Sequence, residues 1–251
     1  MDIQAIPGFT HPVSSLTHLI GAGVFAVLAV PLWRRCRGYG RCRLTTAVFS
    51  FTTILLLSMS GVYHLLATQG AAHEVFLRLD HAAIFALIAG SFTPLQPLFF
   101  QSFLGRWGML MLVWALALTG ITLKVIFFHD IPEALGLALY LSLGWLGLGS
   151  GVVLARRHGL RFIAPLLWGG LAYTVGAVAD FARWPVLLPG VVGPHELMHL
   201  GVLAGIGCFW WFFYRRIPEA VTPPAAATDS AGAPPGRTTA TPRLQPEDKQ
   251  G

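Results

Sequence analysis

The chain has 251 residues, of which 55% are hydrophobic and only 11% charged, with a formal net charge of +6 and a mean hydropathy of +0.64. A soluble domain is about one-quarter charged, so a soluble fold of this composition would expose apolar surface almost everywhere; an ordinary cytosolic enzyme and a disordered chain are excluded. The basic residues sit in short clusters beside apolar runs and form no continuous basic face, which excludes a nucleic-acid binder and fits a membrane protein touching anionic headgroups.

A helix that crosses the hydrocarbon needs about 20 predominantly apolar residues. The sequence predicts seven of them, over roughly 16–33, 44–67, 79–100, 107–128, 134–155, 162–181 and 195–214. The first ends at Arg34 and Arg35, and no basic stretch precedes Leu16, so it does not read as a cleaved signal peptide. Glycines are dense in the fifth and sixth spans, at Gly144, Gly147, Gly149, Gly151, Gly169, Gly170 and Gly176, and predict close helix packing. The predicted fold class is therefore an all-α integral membrane protein, a seven-transmembrane-helix bundle over 1–217. Residues 218–251 are rich in Pro, Ala and Thr and read as a disordered C-terminal tail. Cys36 and Cys42 share an arginine-rich loop and Cys208 lies in an apolar run; none is read as structural or reactive.

Seven spans divide the loops into two sets. The set containing the amino tail holds Arg78, Lys124 and Arg183, and the other holds all fourteen remaining basic residues. The positive-inside rule places the second set in the cytoplasm, with the N-terminus outside and the C-terminus cytoplasmic. On this map His11, His18, His64, His73, His81, His129, His195 and His199 fall at the outward end, with Asp80, Asp180 and Glu196; only His158 falls at the other. Ionisable residues at membrane depth are costly and usually serve function, so the histidine-rich end is the candidate site.

Three features converge there. Ser60 and His64 are four residues apart near the end of the second span, Asp80-His81 opens the third, and His195-Glu196-Leu197-Met198-His199 opens the seventh. A spacing of four puts two side chains on one helix face, so His195 and His199 can reach one ion, with His64 as the third ligand. Three neutral imidazoles plus a water form a catalytic zinc arrangement with an open position. Asp80 would hold the metal-bound water or orient a ligand histidine, and its neighbour Ser60 gains interest only from its pairing with His64. Asp180 reads either as support for this site or as an interfacial residue beside Arg183 and Trp184. The HELMH stretch also fits the HExxH zinc-protease pattern. No later span supplies a third ligand, and Glu196 is turned about 100° from His195 on a helix, so the protease reading is set aside.

Ser60-x3-His64, Asp80-His81 followed by Ala89-Gly90-Ser91-Phe92-Thr93-Pro94, His195-Glu196-x2-His199 and the opening Thr17-His18-x2-Gly21 together carry a resemblance. Over about residues 14–214 the chain resembles the hemolysin III family, the bacterial branch of the progestin and adipoQ receptor group, related to the alkaline ceramidases. The resemblance implies a seven-helix bundle with zinc on the three histidines and with Ser60 and Asp80 beside the zinc-bound water. The expected location is the plasma (bacterial inner) membrane, and the charge count puts the metal site near the outer face. His11 and Ser14 replace an acidic residue and an asparagine usual before the Thr-His pair, and Asp180 stands where an aromatic residue is expected. The receptor branch has its amino end in the cytoplasm, opposite to the charge count here.

The expected function is zinc-dependent hydrolysis of a membrane lipid amide by a metal-activated water. Asp80 would act as general base or water-orienting group, and Ser60 would hydrogen-bond the water or the oxyanion. The alternatives are a non-catalytic receptor or stress sensor, with a structural zinc closed by Asp80 as fourth ligand, and a lytic, pore-forming protein. The expected partners are a membrane lipid and the bilayer itself, and no nucleic acid.

Overall fold

The computed structural model describes residues 11–66, 70–189 and 191–221. Among them the regular structure is helical: α1 (Pro12–Arg35), α2 (Gly40–Leu65), α3 (Ala71–Phe99), α4 (Met109–Ile126), α5 (Glu133–Trp145), α6 (Gly147–His158), α7 (Leu160–Phe181) and α8 (Pro194–Val221). Seven spans are long and apolar enough to cross a membrane. The fourth begins with a π-helical turn, Leu104–Gly108, that runs into α4. The fifth is α5 and α6 together, separated at Leu146 between Gly144 and Gly147. Glycine is the weakest helix former after proline, and the small residues there leave room for Phe92 of α3 against Gly147. Prolines inside α1, α3, α7 and α8 are tolerated because neighbouring helices re-satisfy the freed backbone.

The bundle is built around α3, the most enclosed span, while the fourth and fifth spans are the least enclosed. Helices α1, α2, α3, α7 and α8 pack on one another and share one buried apolar cluster, including Leu32, Phe49, Leu57, Ile206, Phe212 and Phe213. A second cluster, with Phe85, Phe92, Val113 and Leu143, joins α3 to α4 and α5. The α7–α8 contact is backbone on backbone. A Cβ on Gly201 would lie 2.8 Å from the Ala172 carbonyl oxygen, and one on Gly176 3.2 Å from the Met198 Cα.

Two expectations change. Cys36 and Cys42 form a disulfide with Cα atoms 5.3 Å apart, joining the end of α1 to the start of α2. Gly38, at φ +83°, turns the chain between them, so six residues of separation become adjacency. Helix α8 also runs to Val221, so the first four residues of the expected tail are helical; residues 222–251 lie outside the described residues. At this arginine-rich end, guanidinium groups lie over aromatic rings: Arg35 over Tyr214 at 4.1 Å, Arg43 over Trp33 at 4.9 Å and Arg216 over Phe162 at 4.5 Å. Such cation–π contacts suit the aromatic-rich headgroup level.

Gly201→Ala forces a methyl group against backbone that cannot swing aside, and overpacking of this kind costs about 1–3 kcal/mol. A lowered thermal midpoint of Gly201→Ala in detergent, beside an unchanged Gly207→Ala where nothing lies within 4 Å, is the expected result.

Candidate metal centre

The end of α2 and the start of α8 meet at one level, and this brings together side chains 131 residues apart. His64 and His195 approach Nε2 to Nε2 at 3.1 Å, and His199 and His195 at 3.2 Å. All three ligand atoms lie within 4.8 Å of one another. Tetrahedral coordination with zinc–nitrogen bonds of ~2.05 Å puts ligand nitrogens about 3.3 Å apart, so the set fits a metal ion. The rings meet edge-on, at interplanar angles of 60–65°, which lets three lone pairs converge on a point. His64 and His199 are buried, at 5% and 1% exposure.

The candidate ligand His195 is oriented from α7. Its Nδ1–H donates to Asp180 Oδ1 at 3.2 Å, leaving the Nε2 lone pair to face the other two rings. A carboxylate behind a ligand histidine fixes its tautomer and raises its basicity. Of the two roles open for Asp180, support of the site is the one the geometry gives; its other candidate neighbour, Arg183, pairs with Glu133 at 2.9 Å.

Glu196 is turned away from the three imidazoles. Its Oε2 accepts from the Gly193 N–H at 2.9 Å, and its Oε1 accepts from the Ser14 hydroxyl at 2.8 Å. The first bond is half of a capping box at the start of α8, and the second ties α8 to α1. Both carboxylate oxygens are committed, which removes the base from the HExxH protease reading. Helix α1 is fixed on its other side by Ser15 Oγ donating to the Gly61 carbonyl at 2.8 Å and by the His11 amide donating to the His64 carbonyl at 3.1 Å. Burial, and then the neighbouring His195, hold the His11 imidazole below its ordinary pKa.

Asp80 lies against Ser60 and within electrostatic range of His195, but it is not one of the three converging ligands. His81 points elsewhere: its Nδ1–H donates to the Leu77 carbonyl at 2.9 Å and its ring packs on Phe128. His129 pairs with Glu74 at 2.8 Å. The sequence reading left no task for His18, whose ring stacks on His199 at 3.8 Å; contact across helices is invisible in spacing along one of them.

Beside this end lies an apolar cavity of about 200 Å³ bounded by α2, α3, α5, α6, α7 and α8. Its lining includes Met198, next to the ligand His199, and Tyr140, whose hydroxyl donates to the His81 carbonyl.

Residues 9–210 match the haemolysin-III-related family. The chain belongs to that family. Hemolysin-3 of Bacillus cereus is 30% identical over 194 residues, covering 76% of this chain and 84% of the relative. A hemolysin-3 homolog of Bacillus subtilis (strain 168) is 32% identical over 197 residues, covering 76% and 87%. The chain is thus a multi-pass membrane protein of the haemolysin III type, and the matched region contains the whole three-histidine group.

Protein purified without chelator is expected to carry about one metal ion per chain by elemental analysis, with the ion lost in His64→Ala and His199→Ala. Acidification should release it, because each imidazole must be neutral to ligate. Asp180→Asn keeps the shape and loses the charge behind His195. Its metal affinity by competition titration should fall about 10–100-fold, the usual cost of losing such a partner.

Proposed function

We propose that this protein is a zinc-dependent hydrolase of a membrane lipid amide. The observation that carries the reading is a ligand group of three imidazoles, with Asp80 and Ser60 beside it and outside the ligand set. A structural zinc site is normally closed by a fourth protein ligand, whereas a catalytic one keeps a position open. Three-nitrogen ligation favours zinc over manganese or magnesium. When bound, zinc lowers the pKa of a coordinated water to ~7 and polarises a carbonyl.

The chain's own residues then have these roles. His64, His195 and His199 hold the ion, and Asp180 orients His195. Asp80 accepts the proton of the attacking water as its oxygen adds to the amide carbon, and returns that proton to the amine as the C–N bond breaks. Ser60 donates a hydrogen bond to the developing oxyanion. The apolar cavity beside Met198 and Tyr140 receives the acyl chain, which keeps the reacting carbonyl at the polar end of the bundle.

The orientation is part of the reading. Three basic residues lie at the histidine-rich end and fourteen at the other, so the positive-inside rule places the site at the outer face, the N-terminus outside and the C-terminus in the cytoplasm. The Cys36–Cys42 disulfide at the arginine-rich end pulls the other way, since disulfides favour oxidising compartments. This reading gives the charge bias more weight, because it acts during insertion and is summed over every loop.

Vesicles containing the protein and an N-acyl sphingoid base should release free fatty acid, chelator should stop the release and zinc should restore it. Asp80→Asn should keep its metal and lose about 10²–10⁴-fold in rate, the contribution of a general base. A metal-loaded protein that leaves a panel of lipid amides intact would turn the reading to the receptor class.

For topology, Asp130→Cys should react with a membrane-impermeant thiol reagent in intact cells, and Gln101→Cys should react only after lysis. The reverse pattern places the site in the cytoplasm.

A further inference from the structure

His18 lies two turns into α1, 2% exposed; among the described residues neither ring nitrogen makes a well-formed hydrogen bond, and its polar contact is a weaker one with the His199 backbone. Burying an imidazole so weakly bonded is unfavourable, so the ring needs another reason to be there. Its close ring partner among the described residues is His199. The centroids are 3.8 Å apart and the planes only 26° from parallel. This differs from the contacts among the three ligands, which are all edge-on.

The difference has a geometric cause. Lone pairs converge only if the ligand rings meet edge to edge, so no ligand can support the face of another. The last side-chain torsion of histidine is soft and roughly two-fold, so the α8 backbone does not fix the plane of the His199 ring. His195 has the Asp180 carboxylate for that purpose, whereas His199 has no carboxylate behind it among the described residues: its Nδ1 makes no well-formed hydrogen bond, and its polar contact is a weaker one with the Ser14 backbone. The face of His199 is held from α1. Helix α1 is itself pinned on both sides, by Ser14 to Glu196 and by Ser15 to the Gly61 carbonyl.

We propose that His18 is a positioning residue for the metal ligand His199, holding its ring plane by stacking and favouring the metal-loaded form. The second part follows from electrostatics. Coordination draws electron density from His199 and leaves its ring electron-poor. The electron-rich face of a neutral imidazole attracts such a ring, as aromatic faces attract cations. An aliphatic side chain of similar size would fill the space without that attraction. This inference rests on the three-histidine group binding a metal.

The test is metal affinity of the purified full chain in detergent, with zinc competing against cobalt, in wild type, His18→Leu, His18→Phe and His18→Gln. The cobalt d–d absorption bands report ligand geometry, and the zinc-induced rise in thermal midpoint within each variant separates metal coupling from apo stability. His18→Leu should bind about 10–100-fold more weakly, with shifted cobalt bands and a smaller zinc-induced rise. His18→Phe keeps a ring face without ring nitrogens and should recover most of the affinity. His18→Gln should behave like His18→Leu. Wild-type affinity in His18→Leu, or recovery by Gln and not by Phe, overturns the stacking role while leaving the metal site standing. A wild-type protein that takes up neither ion overturns both.

Discussion

The backbone of α8 rests directly on that of α7, at Gly201 against Ala172 and at Gly176 against Met198. With no side chain between them, the two helices have little freedom to rotate or slide. That contact fixes which face of α8 looks inward, and the inward face begins with His195 and His199. It also sets the level at which Asp180, in the last turn of α7, meets His195. A bulkier seam would leave the individual helices intact and still scatter the ligands, because imidazole coordination tolerates only a few tenths of an ångström.

The polar end of the bundle is held by bonds that cross between helices far apart in sequence. Glu196 starts α8 and holds α1 through Ser14, while Ser15 holds α2 through the Gly61 carbonyl. In hydrocarbon such groups have no water to turn to, so each finds its partner inside the protein. The result is a rigid polar cap on an apolar body, and the cavity beside Met198 lies at their boundary. Hydrolysis of a lipid amide has the same division, a polar bond at the end of a greasy chain.

Much of this was legible in the sequence. All seven spans follow from length and apolarity, because the bilayer imposes one dimension on every crossing segment. The His195–His199 pair follows from helical spacing, and His64 from its level in the membrane. What spacing cannot give is which helices are neighbours. Asp180 stayed open between two roles because nothing along α7 says that it faces α8 rather than the loop that follows it. His18 was visible as part of a motif, yet its stack on His199 depends on α1 and α8 touching. The Cys36–Cys42 pair was missed because adjacency there comes from the reversal at Gly38. The break at Leu146 was missed because a hydropathy window sums over it.

The candidate ligands come from opposite ends of the chain, His64 from the second span and His195 and His199 from the last. A membrane protein is delivered to the bilayer in order of synthesis, so His64, His18 and Asp80 are in place well before α8 arrives. Until α8 docks the chain has at most six spans, a slot open beside α1, α3 and α7, and one of the three candidate ligands. On the proposed function, metal capture is the closing event of biogenesis. A chain truncated before α8, or one whose last span fails to dock, lacks the three-histidine group, whatever the state of the other six spans.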